Sequence, residues 1–375
     1  MQRTISFFIS IVLILITVGL LILASASSAK YDDAGYFMKR QLIWLTLSFI
    51  TAAITARFDY HHYKKLAIPI ASVSLLLLIL VRIPGVGTMI NGSWRWLKVG
   101  PITIQPSEIA KLGVIILFSW WLAGNQRRID ELKRGIFIPF SMLFLFAILL
   151  VIEPDFGTTM LISSVGVCLM FISGVSIVPL ASVGLIGLMS VFVLIFQNPE
   201  RMSRIMAFLD PQKYEQDKAW QLINSLRAFA GGNVRGVGLF NSMQKYHYLP
   251  EAHTDFIFPI IGEELGLAAS LFVVCLYFFL FVLGARIALS AKDDFGRLMA
   301  FGIVLMITIQ ALINFSVVTG CVPTKGLALP FISYGGSSLL ISGAMVGILV
   351  NIAHSGMKAS KVNGENPFRD RARNI

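Results

Sequence analysis

Apolar residues run along this chain in long unbroken blocks, and the polar positions between them are few. The blocks lie at residues 5–23, 41–56, 66–83, 109–123, 136–152, 158–173, 178–196, 256–289, 298–318 and 332–352. Most approach the roughly twenty residues that a helix needs to cross a bilayer. None alternates in the manner of a barrel strand, and inside lipid each segment must satisfy its own backbone amides, so helices are the expected form. The prediction is an all-α polytopic integral membrane protein with about ten transmembrane helices. Met1-Gln2-Arg3 precedes the first block and Ala24-Ser25-Ala26 follows it, which resembles a signal-peptidase site. The block exceeds the about 7–15 residues of a signal-peptide core, so an uncleaved first helix is expected.

Composition agrees: 56% of the residues are hydrophobic and 14% charged, outside the range of soluble domains. The net charge of +11 acquires a meaning once the cations are placed. With the N-terminus inside, Arg57, Lys64, Lys65, Arg127, Arg128, Lys133, Arg134, Arg286, Lys292 and Arg297 fall on the inner side, with the tail from Lys358 to Arg373. Short loops rich in Lys and Arg mark the cytoplasmic side, whereas acids such as Asp32, Asp33, Glu153 and Asp155 weigh little. Both termini are therefore expected to be cytoplasmic, with residues 355–375 as a cytoplasmic tail. Topology and anionic membrane lipid explain the basic balance. No glycine-rich phosphate loop or repeated basic-aromatic stripe is present, so no nucleic acid is expected. One connection is long, residues 197–254, and it becomes the one large extracytoplasmic loop; structureless loops of that length are uncommon unless functional.

Candidate chemistry collects at the same face. The loop carries Arg201, Arg204, Lys213, Lys218, Arg227, Arg235 and Lys245 among the glycines Gly231, Gly232, Gly236 and Gly238. Such a segment suits a phosphate-bearing ligand, and equally a solvated basic loop drawn to anionic lipid. It ends in Leu249-Pro250-Glu251-Ala252-His253-Thr254-Asp255-Phe256-Ile257-Phe258, which sets Asp255 at the mouth of an apolar helix. An ionisable group at membrane depth points to function, although Thr254 or Asp255 would also serve as a helix N-cap. Glu108 and Lys111 are spaced to share a helix face, either as a mutually neutralising pair or as ligands. Residues 320–338 hold two prolines, four glycines and Lys325 between two spans, a shaped segment that must be buried in protein or line a cavity. Cys168, Cys275 and Cys321 are too scattered for a metal or redox motif, and His61, His62, His247, His253 and His354 show no zinc-ligand spacing.

Several of these stretches together resemble the SEDS family of bacterial cell-wall polymerases. They are the run from Pro250 to Phe258, Gly262-Glu263-Glu264-Leu265-Gly266, Pro323-Thr324-Lys325-Gly326-Leu327 and Ser333-Tyr334-Gly335-Gly336-Ser337-Ser338. Asn91 to Trp96, Gln105 to Lys111, Glu153 to Thr158 and Arg204 to Pro211 extend the likeness over nearly the whole chain. Glu251-Ala252 and Thr324-Lys325-Gly326 are closer to the division-type branch than to the elongation-type branch. Trp220 to Ser225 and Phe240, which stands at a usual glycine, depart from the family pattern. The resemblance implies a single SEDS-type transmembrane domain over residues 1–375, located in the bacterial cytoplasmic membrane at the division septum. It implies a peptidoglycan glycosyltransferase that polymerises lipid II, the undecaprenyl-diphosphate-linked disaccharide pentapeptide. A class B penicillin-binding protein and other divisome membrane proteins are the implied partners. A lipid II flippase and a non-catalytic division scaffold are the alternatives. Diphosphate is already a good leaving group, so one general base and a set of cations suffice. Asp255 is expected as the base, with Glu108, Lys111, Arg204, His253, Lys325 and Ser333 around the substrate and Glu108 positioning Lys111. A divalent cation, Mg or Mn, is a candidate cofactor on the diphosphate; no protein metal site is expected.

Overall fold

The structure is a computed structural model that describes residues 1–28, 35–90, 93–100, 102–197, 199–246, 249 and 252–363. Asp32, Asp33, Asn91, Gly92, His247, Pro250, Glu251 and the tail beyond residue 363 lie outside the described residues. Every predicted apolar block is helical over most of its length. In chain order the helices are α1 (Gln2–Ser28), α2 (Tyr36–Arg57), α3 (His61–Lys65), α4 (Ala67–Leu80), α5 (Pro106–Gly124), α6 (Ile138–Ile152), α7 (Phe156–Ile172) and α8 (Ile177–Phe196). They continue as α9 (Pro199–Leu209), α10 (Trp220–Gly232), α11 (Ile257–Leu289), α12 (Asp294–Val318) and α13 (Gly336–Asn363). Among the described residues, six helices are long and apolar enough to cross a membrane.

α12 lies in the middle, packed on α5, α7, α11 and α13. Close approach there depends on small residues, the usual means of helix association where lipid is as apolar as leucine. A Cβ at Gly302 of α12 would lie 2.7 Å from Ile115 of α5 and 3.2 Å from Leu169 of α7. The core spreads from this contact through Phe118, Val165, Met299 and Ile303, all buried.

Four features differ from the sequence expectation. The protein is not all-α: β1 (Gly87–Ile90), β2 (Ser93–Val99) and β3 (Ile102–Ile104) form an antiparallel sheet in the order β1-β2-β3, with Ile90 opposite Ser93 and Lys98 opposite Thr103. Residues 197–254 are not structureless, since α9 and α10 lie within them. The long apolar block after Asp255 is two helical pieces, because Gly266 takes φ +80° and ψ −176° inside α11, a conformation open to glycine. The last block begins as a helix only at Gly336, which leaves residues 319–335 irregular.

Candidate active site

Irregular backbone at membrane depth is tolerated only where protein satisfies its polar groups. Residues 323–335 meet that condition chiefly through side chains from α11 and α12. On α12, Gln310 and Asn314 are one turn apart and almost fully buried. The Gln310 amide donates to the Ala328 carbonyl at 2.7 Å, and the Asn314 amide donates to the carbonyls of Leu327 at 2.7 Å and Asp255 at 2.8 Å. From α11, the Tyr277 hydroxyl donates to the Pro330 carbonyl. Ser333 Oγ accepts from the Leu329 N–H at 2.7 Å and donates to the Thr254 carbonyl at 2.6 Å. The Tyr334 N–H reaches the His253 carbonyl at 2.9 Å. The re-entrant segment and the strip 253–255 are thus sewn together.

Beneath them stands the Glu108–Lys111 pair of α5. Its charges are 2.6 Å apart, with 3% of the lysine side chain exposed. The Lys111 ammonium also donates to Gln310 Oε1 at 2.9 Å. Lys111 therefore orients the amide that holds Ala328, and acts on the segment from below.

Asp255 does not occupy the N-cap position of α11, which falls on Phe256. Its carboxylate instead lies against Gly326, where a Cβ would stand 2.4 Å from Asp255 Oδ2. Gly326 is exposed, so core packing does not demand a glycine here; proximity to the carboxylate does. Gly326→Ala should leave thermal stability near normal, because the carboxylate can swing aside. It should lower turnover by about 10²-fold, the cost of a displacement near 1 Å at a reacting group. Unchanged turnover in the purified variant would detach this contact from catalysis.

Next to Gly326, Lys325 reaches over α7. Its ammonium is 5.8 Å from the Phe156 ring centre and 2.6 Å from Met160 Sδ, while the Arg201 guanidinium covers the same ring at 3.8 Å. Burial, then the like charges of Arg201 and Arg204, hold the Lys325 ammonium below the usual lysine range. Burial also lowers Arg201, opposed by Glu200. Cations gathered at this density are suited to receive an anion. The half-buried Asp255 carboxylate thus stands beside a cluster of cations, so a proton acceptor and an anion-receiving surface adjoin at one place.

A family model described as cell cycle protein, FTSW_RODA_SPOVE, matches residues 5–358. The chain belongs to this family. A probable peptidoglycan glycosyltransferase FtsW from Trichlorobacter lovleyi (strain ATCC BAA-1151 / DSM 17278 / SZ) is 40% identical, the match covering 94% of each chain. Stage V sporulation protein E of Bacillus subtilis (strain 168) is 38% identical over 92% of this chain and 95% of its own. Among solved structures, a chain described under structural coordination of polymerization and crosslinking by a peptidoglycan synthase complex is similar at TM-score 0.76 and 26% identity, covering 93% of this chain and 97% of that one. Thermus thermophilus rod shape determining protein RodA is similar at TM-score 0.70 and 26% identity, covering 92% and 95%. With its apolar helices, this FTSW_RODA_SPOVE member is a multi-pass membrane protein.

The predicted site residues do not all stand together. Asp255 and Lys325 flank Gly326, and Ser333 binds the strip at Thr254. Arg204 is on the surface, paired with Glu200 at 3.1 Å, and reaches Lys325 as part of the surrounding positive charge. The His253 ring packs 4.5 Å from Phe37 and 6.0 Å from Tyr334. Sequence reasoning did not single out Gln310, Asn314, Tyr277 and Phe156, and it ranked Arg201 with the other loop cations. Two amides one turn apart in the apolar helix 298–318 were the available signal.

The sheet has a role in this family member too. Arg95 of β2 donates to the Glu153 carbonyl at 3.1 Å and the Pro154 carbonyl at 2.6 Å, fixing the turn that leads to Phe156. The Glu153 side chain is fully buried, and among the described residues neither carboxyl oxygen has a hydrogen-bond partner. Burial, then the charge of Asp155, push its pKa up to about 8, against the pull of Arg95 and Arg82. An acid with a raised folded pKa contributes stability that is fully present below its unfolded value of 4.5 and is lost as pH rises toward about 8. Melting temperature should therefore decline across that window, and Glu153→Gln should flatten the decline. An identical slope in the variant would show that Glu153 is ionised throughout.

Proposed function

We propose that this chain is a peptidoglycan glycosyltransferase that polymerises lipid II at the outer face of the cytoplasmic membrane, at the division septum. The observation that carries the reading is the Asp255 carboxylate seated against Gly326, next to a lysine that shares the Phe156 ring with Arg201. Asp255 takes the proton from the attacking sugar hydroxyl. Lys325 and Arg201, with Arg204 at the rim, hold the diphosphate of the donor, whose bond to the sugar breaks as the new glycosidic bond forms. In this reading Glu108, Lys111 and Ser333 support the re-entrant segment, while His253 packs beside the acceptor strip.

The ten helices α1, α2, α4, α5, α6, α7, α8, α11, α12 and α13 are the proposed spans of one domain. Both termini are then inside, and α9 and α10 lie on the outer surface. A class B penicillin-binding protein is the proposed cross-linking partner, with other divisome membrane proteins around it. Among the described residues no group of three His, Cys, Asp or Glu could hold a metal ion; a divalent cation, Mg or Mn, would instead be held chiefly by the donor diphosphate, whose charge it would help to neutralise.

Purified protein reconstituted with lipid II, with and without the transpeptidase, tests the reading. Glycan strands are expected; movement of lipid across the bilayer without polymer would indicate a flippase. Lys325→Gln should raise KM for lipid II by about 10-fold to 10²-fold, the worth of a hydrogen bond to a charged group. A KM equal to wild type would remove Lys325 from the diphosphate site.

A further inference from the structure

Residues 237–246, beyond α10, present an apolar rim that the polymerase chemistry does not use. Leu239, Phe240, Met243 and Tyr246 are all exposed, Met243 at 67%. The rim is held rigidly from within. Lys245 is fully buried, donating to Glu264 Oε1 at 3.0 Å, to Ser25 Oγ of α1 at 2.9 Å and to the Phe240 carbonyl at 2.6 Å. Glu263 accepts from the Met243 N–H at 2.9 Å and from the Ser242 hydroxyl. Clamped in this way, Phe240 takes φ +66°, a left-handed conformation unfavourable for an L-residue. A bulky aromatic kept in strained backbone while 49% exposed is a residue presented outward, and such outliers persist where the surroundings over-determine them.

What the rim faces follows from where it is attached. The Val237 N–H donates to the Glu263 carbonyl at 2.9 Å, the Gly238 N–H to the Glu264 carbonyl at 3.0 Å, and the Leu267 N–H to the Asn233 carbonyl at 2.9 Å. The segment thus abuts the break in α11, where the exposed Leu267, Leu271 and Phe272 of a membrane helix begin. Lys245 is the one charged side chain among residues 237–246, and it points inward, so the rim offers no charge to water or to a charged partner.

We propose that residues 237–246 form an interfacial lipid anchor, with Phe240, Met243 and Tyr246 inserted among the head groups and upper acyl chains of the bilayer. Aromatic and amphipathic side chains favour that depth. The anchor fixes the height of the strip that leads to Asp255. It rests on the membrane placement of the helices and not on the proposed catalysis, so protein that makes no polymer should still show it.

The test is photocrosslinking of the full chain in nanodiscs of phosphatidylethanolamine and phosphatidylglycerol. p-Benzoylphenylalanine replaces Phe240 or, in a second variant, Met243; a third carries it at exposed Gln216 as control. Melting temperatures establish that each variant is folded. Intact-mass spectra should show a phospholipid adduct at positions 240 and 243 well above the Gln216 control. Folded protein without that adduct at either position, a crosslink to a second copy, or capture of another membrane protein in place of lipid in native membranes, would overturn the proposal.

Discussion

Lys111→Met should destabilise the protein by about 3–5 kcal/mol and abolish polymerisation, because it leaves the Glu108 carboxylate buried without its cation. Both groups lie in the interior of the bundle, 8% and 3% exposed. In a surface pair the same change would cost about 1 kcal/mol or less. Loss of function comes by a second route as well. Without the ammonium, Gln310 Oε1 loses its donor, and the amide that fixes Ala328 is free to turn. The charge-reversed double variant Glu108→Lys with Lys111→Glu separates support from ligation. A supporting pair predicts partial recovery of melting temperature and of activity over either single reversal. A lysine that binds substrate phosphate predicts recovered stability with no recovered activity, and that result would return Lys111 to the substrate site.

The same pair shows how far the sequence reaches. Spacing along one helix brings Glu108 onto Lys111, so their contact is legible from their numbers alone. The third member, Gln310, is 199 residues away, and only the packing of α12 on α5 supplies it. The re-entrant nature of 320–338 is written in its prolines, glycines and lysine, but the side chains that satisfy its carbonyls belong to α11 and α12, where they look like isolated polar residues in apolar helices. The sheet escaped for a different reason. Its strands are four, seven and three residues long and sit between membrane blocks whose hydropathy dominates any window. Asn91-Gly92 between Ile90 and Ser93 is nevertheless a hairpin turn signature. Asp255 was legible as a boundary carboxylate with two readings, capping and chemistry. α11 begins at Ile257 with Phe256 as its N-cap, so Asp255 is not the capping residue, and the contact with Gly326 shows where its carboxylate lies.

The second large effect is expected at Asp255 itself. Asn keeps the shape of the side chain and fits beside Gly326 as the carboxylate does, but an amide cannot accept the proton of an attacking hydroxyl at neutral pH. Asp255 is half-buried and its backbone carbonyl is held by Asn314, so the substitution leaves the strip in place. Folding, membrane insertion and binding of the transpeptidase should survive. A general base contributes about 10²–10⁴-fold to rate, and that is the loss expected. The decisive measurement is glycan-strand formation from lipid II by purified Asp255→Asn protein, with its melting temperature and partner binding measured on the same preparation. A folded, partner-bound variant whose polymerisation falls by about 10²–10⁴-fold is the predicted result. The same variant making glycan strands at the wild-type rate would contradict the assignment of Asp255 as the base.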